Sequence, residues 1–123
     1  MKREKILLVD DSRTSLFMEQ MVLRNGPYDF ITAQDGQEGV DKAESERPDL
    51  ILMDVIMPRM GGFEAVRELR AREGTREIPV IMVTTRGEGD NVENGFESGC
   101  TDYLTKPIDP AALLAKVRDH LGE

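Results

Sequence analysis

The stretch Leu50-Ile51-Leu52-Met53-Asp54 places four consecutive apolar residues before one carboxylate. A strand that is apolar at every position, and not only at every second one, is covered on both faces, as in a parallel sheet packed between helices. The aspartate then falls at the carboxyl end of that strand. The same arrangement recurs along the chain. Ile6-Leu-Leu-Val9 runs into Asp10-Asp11, and Val80-Ile-Met-Val83 runs into Thr84. The two-residue run Tyr103-Leu104 leads through Thr105 to Lys106-Pro107. Phe30–Ala33 is a weaker fifth run.

Segments of helical periodicity lie between these runs. Asp11 or Ser12 can cap a first helix carrying Leu16, Phe17, Met21 and Val22, which ends at Asn25-Gly26-Pro27. Asp35-Gly36 opens a second with Val40 and Ala43, stopped before Pro48, and Gly61-Gly62 precedes a third with Phe63, Val66 and Leu69. Asp109-Pro110 is a cap followed by proline at the first helical position, and the helix it opens places Leu113, Leu114, Val117 and Leu121 on one face. A further helix over 88–98 is weak: Val92 and Phe96 are its apolar anchors, and Gly89 and Gly95 interrupt it. Each interior glycine costs about 1 kcal/mol relative to alanine, which suits a segment that is frayed or moves. Alternating strands and helices predict an α/β fold, a doubly wound (βα)₅ sandwich with a five-stranded parallel sheet.

With 123 residues the chain is one domain, residues 1–123, large enough to fold without a metal or a disulfide. The single cysteine, Cys100, excludes an internal disulfide. No apolar run approaches the ~18 residues of a membrane span. Only Ile6–Val9 follows the charged start, too short a stretch for a secretory signal, so the expected location is cytoplasmic. A net charge of −8 argues against nucleic acid and anionic membranes as direct partners.

In a parallel sheet the strand ends lie along one edge, where ligands bind in this class of fold. Five polar groups therefore converge: the carboxylates of Asp10, Asp11 and Asp54, the hydroxyl of Thr84 and the ammonium of Lys106. Taken singly, each aspartate reads as a helix cap or turn former, Thr84 as a turn hydroxyl and Lys106 as a surface lysine. Together they form a pattern. Three neighbouring carboxylates cannot all stay ionised without compensation. Lys106 supplies one remedy and a hard divalent cation such as Mg²⁺ the other. His120, alone near the terminus, reads as a surface residue at a helix end. A carboxylate beside Mg²⁺ can act as nucleophile toward a phosphoryl group, whose charge the metal and the lysine would offset. The constellation reads as a phosphoryl-accepting site.

These segments, with Asp54-Val-Ile-Met-Pro58-Arg-Met-Gly-Gly62, Met82-Val-Thr84-Thr and Tyr103-Leu-Thr-Lys106-Pro107, resemble the receiver domain of bacterial response regulators over essentially the whole chain. The resemblance implies the CheY-like, flavodoxin-like strand order 2-1-3-4-5. It makes Asp54 the phosphoacceptor, served by a histidine kinase or a phosphotransfer protein. Asp11 would ligate Mg²⁺ directly, Asp10 would bind through water or assist, and the backbone carbonyl of Ile56 would complete the protein ligands. Lys106 would contact the phosphoryl group, with the Lys106–Pro107 bond cis. Thr84 and Tyr103 would be the switch pair. Ile56 and Arg86 fall at two positions that tune phosphoryl lifetime in the family. The protein would be no enzyme beyond its own phosphorylation and dephosphorylation. Thr85 and Gly61 depart from the commonest residues at their positions, a small residue and an aspartate. The output would be a downstream protein target, or an output domain in a longer chain.

Two rivals share part of this pattern. A flavodoxin-like electron carrier would need a Ser/Thr/Gly-rich loop where Asp10-Asp11 stands. A haloacid-dehalogenase-type phosphatase would need Asp-x-Asp on the first strand, whereas Ser12 follows two residues after Asp10. A receiver that acts by protein contact without phosphorylation is the remaining alternative.

Overall fold

The computed structural model describes residues 3–85 and 99–122. The elements are β1 (Glu4–Val9), α1 (Arg13–Leu23), β2 (Tyr28–Ala33), α2 (Gly36–Glu46), β3 (Leu50–Asp54), α3 (Gly62–Ala71), β4 (Val80–Thr85), β5 (Asp102–Lys106) and α4 (Pro110–Leu121). The strands form one parallel sheet in the order β2-β1-β3-β4-β5. The helix expected over 88–98 lies outside the described residues.

Alternation along the strands divides the core in two. Leu7, Val9, Ile51, Met53, Val80 and Met82 face α2 and α3, where they meet Val40, Ala43, Ala65, Val66 and Leu69. Ile6, Leu8, Leu50, Leu52, Ile81 and Leu104 face α1 and α4, where they meet Leu16, Leu23, Leu113 and Val117. Helices on both faces are the reason β1, β3 and β4 are apolar at consecutive positions. Among the described residues β5 pairs only with β4, and Leu104 is its one buried residue.

The helix starts follow local chemistry. The Ser12 side chain accepts from the Ser15 N–H, and the Asp35 side chain accepts from the Glu38 N–H. Asp109 makes no side-chain cap bond, and Pro110 opens α4. Within α1 the buried positions are Leu16, Glu19 and Leu23. That stripe turns Phe17 and Met21 outward, at 63% and 42% exposure, where the apolar pattern suggests burial. Glu19 holds the place on the core face that the periodicity assigns to an apolar residue.

Candidate metal and phosphoacceptor site

The site begins where β1 stops. The Asp10 N–H continues the ladder to the Ala33 carbonyl at 3.0 Å. One Asp10 carboxylate oxygen, Oδ1, then accepts from the Ser12 N–H at 2.9 Å, which turns the chain into α1. Asp10 is left 1% exposed, while Asp11 stands in solvent. Two strands away, Asp54 closes β3. The Val55 N–H reaches the Val83 carbonyl at 3.2 Å, and the Val55 carbonyl accepts from the Gly62 N–H at 2.7 Å. This pair of bonds folds the 55–61 loop back to the start of α3. Gly62 is required there, because a Cβ at that position would overlap the Asp54 carbonyl oxygen. A second tie fixes the loop from outside. Arg59, in the left-handed region at φ 66°, pairs with the buried Asp35 carboxylate, and the Gly36 N–H donates to the Met60 carbonyl at 2.9 Å.

Register brings the remaining groups to the same edge. Asp54 is level with Val83, Thr84 with Thr105, and Thr85 with Lys106. The Lys106 ammonium lies 3.2 Å from Asp10 Oδ2 and 3.2 Å from Asp54 Oδ1, bridging the two strand ends. Asp10, Asp11 and Asp54 each present an oxygen within 4.8 Å of the others. Burial and the charge of Asp10 raise the Asp54 pKa to about 6, against the opposing pull of Lys106. Burial alone would lower Lys106, but Asp54 and Asp10 outweigh it and the ammonium is raised. Asp54 is thus mostly ionised at neutral pH and poorly compensated, and a hard cation would relieve it. Three carboxylates with no sulfur or imidazole among them form a donor set suited to Mg²⁺.

Thr84 is buried, and its hydroxyl is directed to the Leu104 carbonyl at 3.4 Å. Tyr103 is half-buried against the α2/α3 side of the core, with the Lys116 ammonium 6.0 Å from its ring centroid. Ile56 follows Asp54 in the loop with 65% exposure. Arg86 lies outside the described residues, as does the acidic 88–98 segment. The Lys106–Pro107 bond is cis. His120 differs from its sequence reading. It lies 3.0 Å from Asp102, which also takes the Lys116 ammonium at 2.9 Å, so it joins α4 to β5 and is not a free surface group.

Sequence reasoning missed Glu19. The residue is 3% exposed, and burial, then Asp10, raise its pKa to about 8. The signal that could have found it is its spacing from Leu16 and Leu23, which puts it on the buried stripe of α1.

Residues 6–118 match the family model of the response regulator receiver domain. The chain belongs to the response regulator receiver family. It is 40% identical to the protein PilH of Pseudomonas aeruginosa over 113 residues, 92% of this chain and 93% of that one. The chemotaxis response regulator CheY4 of Vibrio cholerae superposes with a TM-score of 0.90 at 36% identity, covering 98% of this chain and all of that one. The receiver domain of the Pseudomonas aeruginosa sensor histidine kinase PA1611, solved with a magnesium ion in its active-site cleft, gives a TM-score of 0.90 at 34% identity, with 99% and 100% coverage. This receiver spans 47% of another curated relative, the transcriptional regulatory protein PhoP of Bacillus subtilis, and 25% of the response regulator PleD of Caulobacter vibrioides. The chain is therefore a receiver domain of two-component signalling, a class that works with histidine kinases. Among the described residues no helix is long and apolar enough to cross a membrane.

Proposed function

We propose that this receiver takes a phosphoryl group onto an oxygen of Asp54, from a phosphohistidine of a kinase or phosphotransfer protein or from a small acyl phosphate. The observation that carries this reading is the Lys106 ammonium held 3.2 Å from both Asp10 and Asp54, with Asp11 completing a cluster of carboxylates. The Asp54 oxygen attacks phosphorus, and the bond to the donor's nitrogen or oxygen breaks. Hydrolysis later returns the free carboxylate and phosphate. Asp10, Asp11, Asp54 and the backbone carbonyl of Ile56 would hold Mg²⁺, which supplies positive charge opposite the transferring oxygens. Lys106, already paired with Asp54, pairs with a phosphoryl oxygen instead. Thr84 turns its hydroxyl from the Leu104 carbonyl to the phosphoryl group, and Tyr103 moves behind it, changing affinity for a downstream protein.

The protein has no other substrate in this reading and is no enzyme in the usual sense. Relatives whose names describe transcriptional regulation are longer chains, and this acidic segment itself is assigned no contact with nucleic acid. The test is intact-mass measurement after incubation with acetyl phosphate, with and without chelator. One added phosphoryl mass is expected in the presence of Mg²⁺ and none in Asp54→Asn. Phosphorylation of Asp54→Asn at another residue overturns the assignment.

A further inference from the structure

The loop that follows Asp54 is held by residues that supply no ligand. Its ends are fixed by the Val55 N–H on the Val83 carbonyl and the Gly62 N–H on the Val55 carbonyl. Between them Met57 packs into the α2/α3 side of the core, and Ile56 is exposed. The Met60 N–H closes a three-residue turn onto the Pro58 carbonyl at 2.7 Å, with Arg59 at its centre. Arg59 has φ 66°, where a residue with a Cβ is strained, and a three-residue turn of this hand is rare for that reason. Such a conformation persists only where its surroundings hold it.

The surroundings are the start of α2. The Arg59 guanidinium pairs with Asp35, whose side chain is 3% exposed against 76% for Arg59. Asp35 is also the N-cap of α2 and accepts from the Glu38 N–H at 2.8 Å. A carboxylate fixed by its own helix is a rigid anchor, and a buried one needs a counter-charge. Among the described residues Arg59 is the one cation paired with it. The next residue, Gly36, donates its N–H to the Met60 carbonyl at 2.9 Å, and a Cβ there would come within 2.3 Å of that oxygen. Helix and loop therefore meet backbone to backbone at Met60 and charge to charge at Arg59. We propose that the Asp35–Arg59 pair positions the metal site: it holds the loop that carries the Ile56 carbonyl, so Mg²⁺ affinity depends on a pair that ligates nothing. The inference rests on the Mg²⁺ site proposed above.

Calorimetric titration with Mg²⁺ and amide hydrogen exchange of the metal-free receiver test it. Arg59→Ala keeps a Cβ at the left-handed position and loses the guanidinium. It should weaken Mg²⁺ binding about tenfold, the low end for groups that orient a metal's ligands from outside the coordination shell. Without metal it should speed exchange at Met60 and Gly62 and leave the Leu113 amide of α4 unchanged. Arg59→Lys keeps a cation for the single contact to Asp35 and should retain most of the affinity. Asp35→Asn keeps an oxygen for the Glu38 N–H and loses the charge. It should weaken binding as Arg59→Ala does, and the double variant should be no weaker than either single one. Wild-type affinity in Arg59→Ala overturns the positioning role, as does Arg59→Lys binding as weakly as Arg59→Ala. So does exchange at Leu113 that rises as much as at Met60, which would make the pair a support of the whole fold. Absence of saturable binding in the wild type would overturn the Mg²⁺ site and this inference together, so the two failures are distinct.

Discussion

Asp54 and Glu19 are both acids held above their ordinary range. Asp54, at about 6, is raised by burial and by Asp10 and is drawn down by Lys106. A metal that needs its carboxylate competes with a proton there. Mg²⁺ affinity should therefore be level above pH 7 and fall up to tenfold per unit below pH 6, and calorimetric titration across that range checks it. An affinity that stays level down to pH 5 would mean that Asp54 is not a ligand. Glu19, at about 8, sits above the ordinary value of 4.5. The folded state keeps a proton that the unfolded chain releases between those limits. By linkage, this group's contribution to stability is intact below pH 4.5 and is lost as the pH rises toward 8. Asp54 acts with the same sign over a lower window, from its ordinary 3.8 to about 6. Each unit is worth ~1.4 kcal/mol, so Glu19→Gln should stabilise the protein by a few kcal/mol at pH 8 and flatten its dependence between pH 6 and 8. Urea denaturation at the two pH values reads this directly.

Among the elements, α3 has the strictest start. A methyl group at position 62 would meet the Asp54 carbonyl oxygen and lie 2.9 Å from Met82 Cε. Backbone cannot yield as a flexible side chain does, so Gly62→Ala should cost about 1–3 kcal/mol and displace the loop that carries Ile56. Gly61→Ala, whose Cβ would come 3.2 Å from the Val55 carbonyl, should cost much less. Denaturation midpoints of the two variants test the order, and equal losses would mean that the loop absorbs both methyl groups. Legibility in the sequence follows the same logic of contact. β1, β3 and β4 could be read because helices cover both of their faces and leave an unbroken apolar run. β5 was faint because, among the described residues, it pairs on one side only and buries Leu104 alone. α1 was read in part: Leu16 is buried and Val22 packs against the core, but Phe17 and Met21 look like anchors in the sequence and face outward, while an acid, Glu19, occupies the core face. The Asp35–Arg59 tie was invisible, because it joins residues 24 apart through a left-handed backbone position with no periodic signature.

At the scale of the whole molecule, the acidic site was legible because a parallel sheet delivers every strand's last residue to one edge. Asp10, Asp54, Thr84 and Lys106 needed only the strand boundaries to be placed together. That convergence has a thermodynamic consequence. Carboxylates gathered at one edge repel one another, and Lys106 alone offsets them among the described site residues. A cation that binds the folded receiver and not the unfolded chain stabilises it by mass action, ~2.7 kcal/mol at a hundredfold excess over Kd. Mg²⁺ should therefore raise the melting temperature by several degrees in a concentration-dependent way. Asp11 is exposed, so Asp11→Ala should leave the metal-free protein within about 0.5 kcal/mol of wild type while removing most of the Mg²⁺ shift. Paired thermal melts with Mg²⁺ and with chelator separate the two effects. A full Mg²⁺ shift in Asp11→Ala would place the cation elsewhere, and a large loss without metal would make Asp11 a structural cap for the turn into α1.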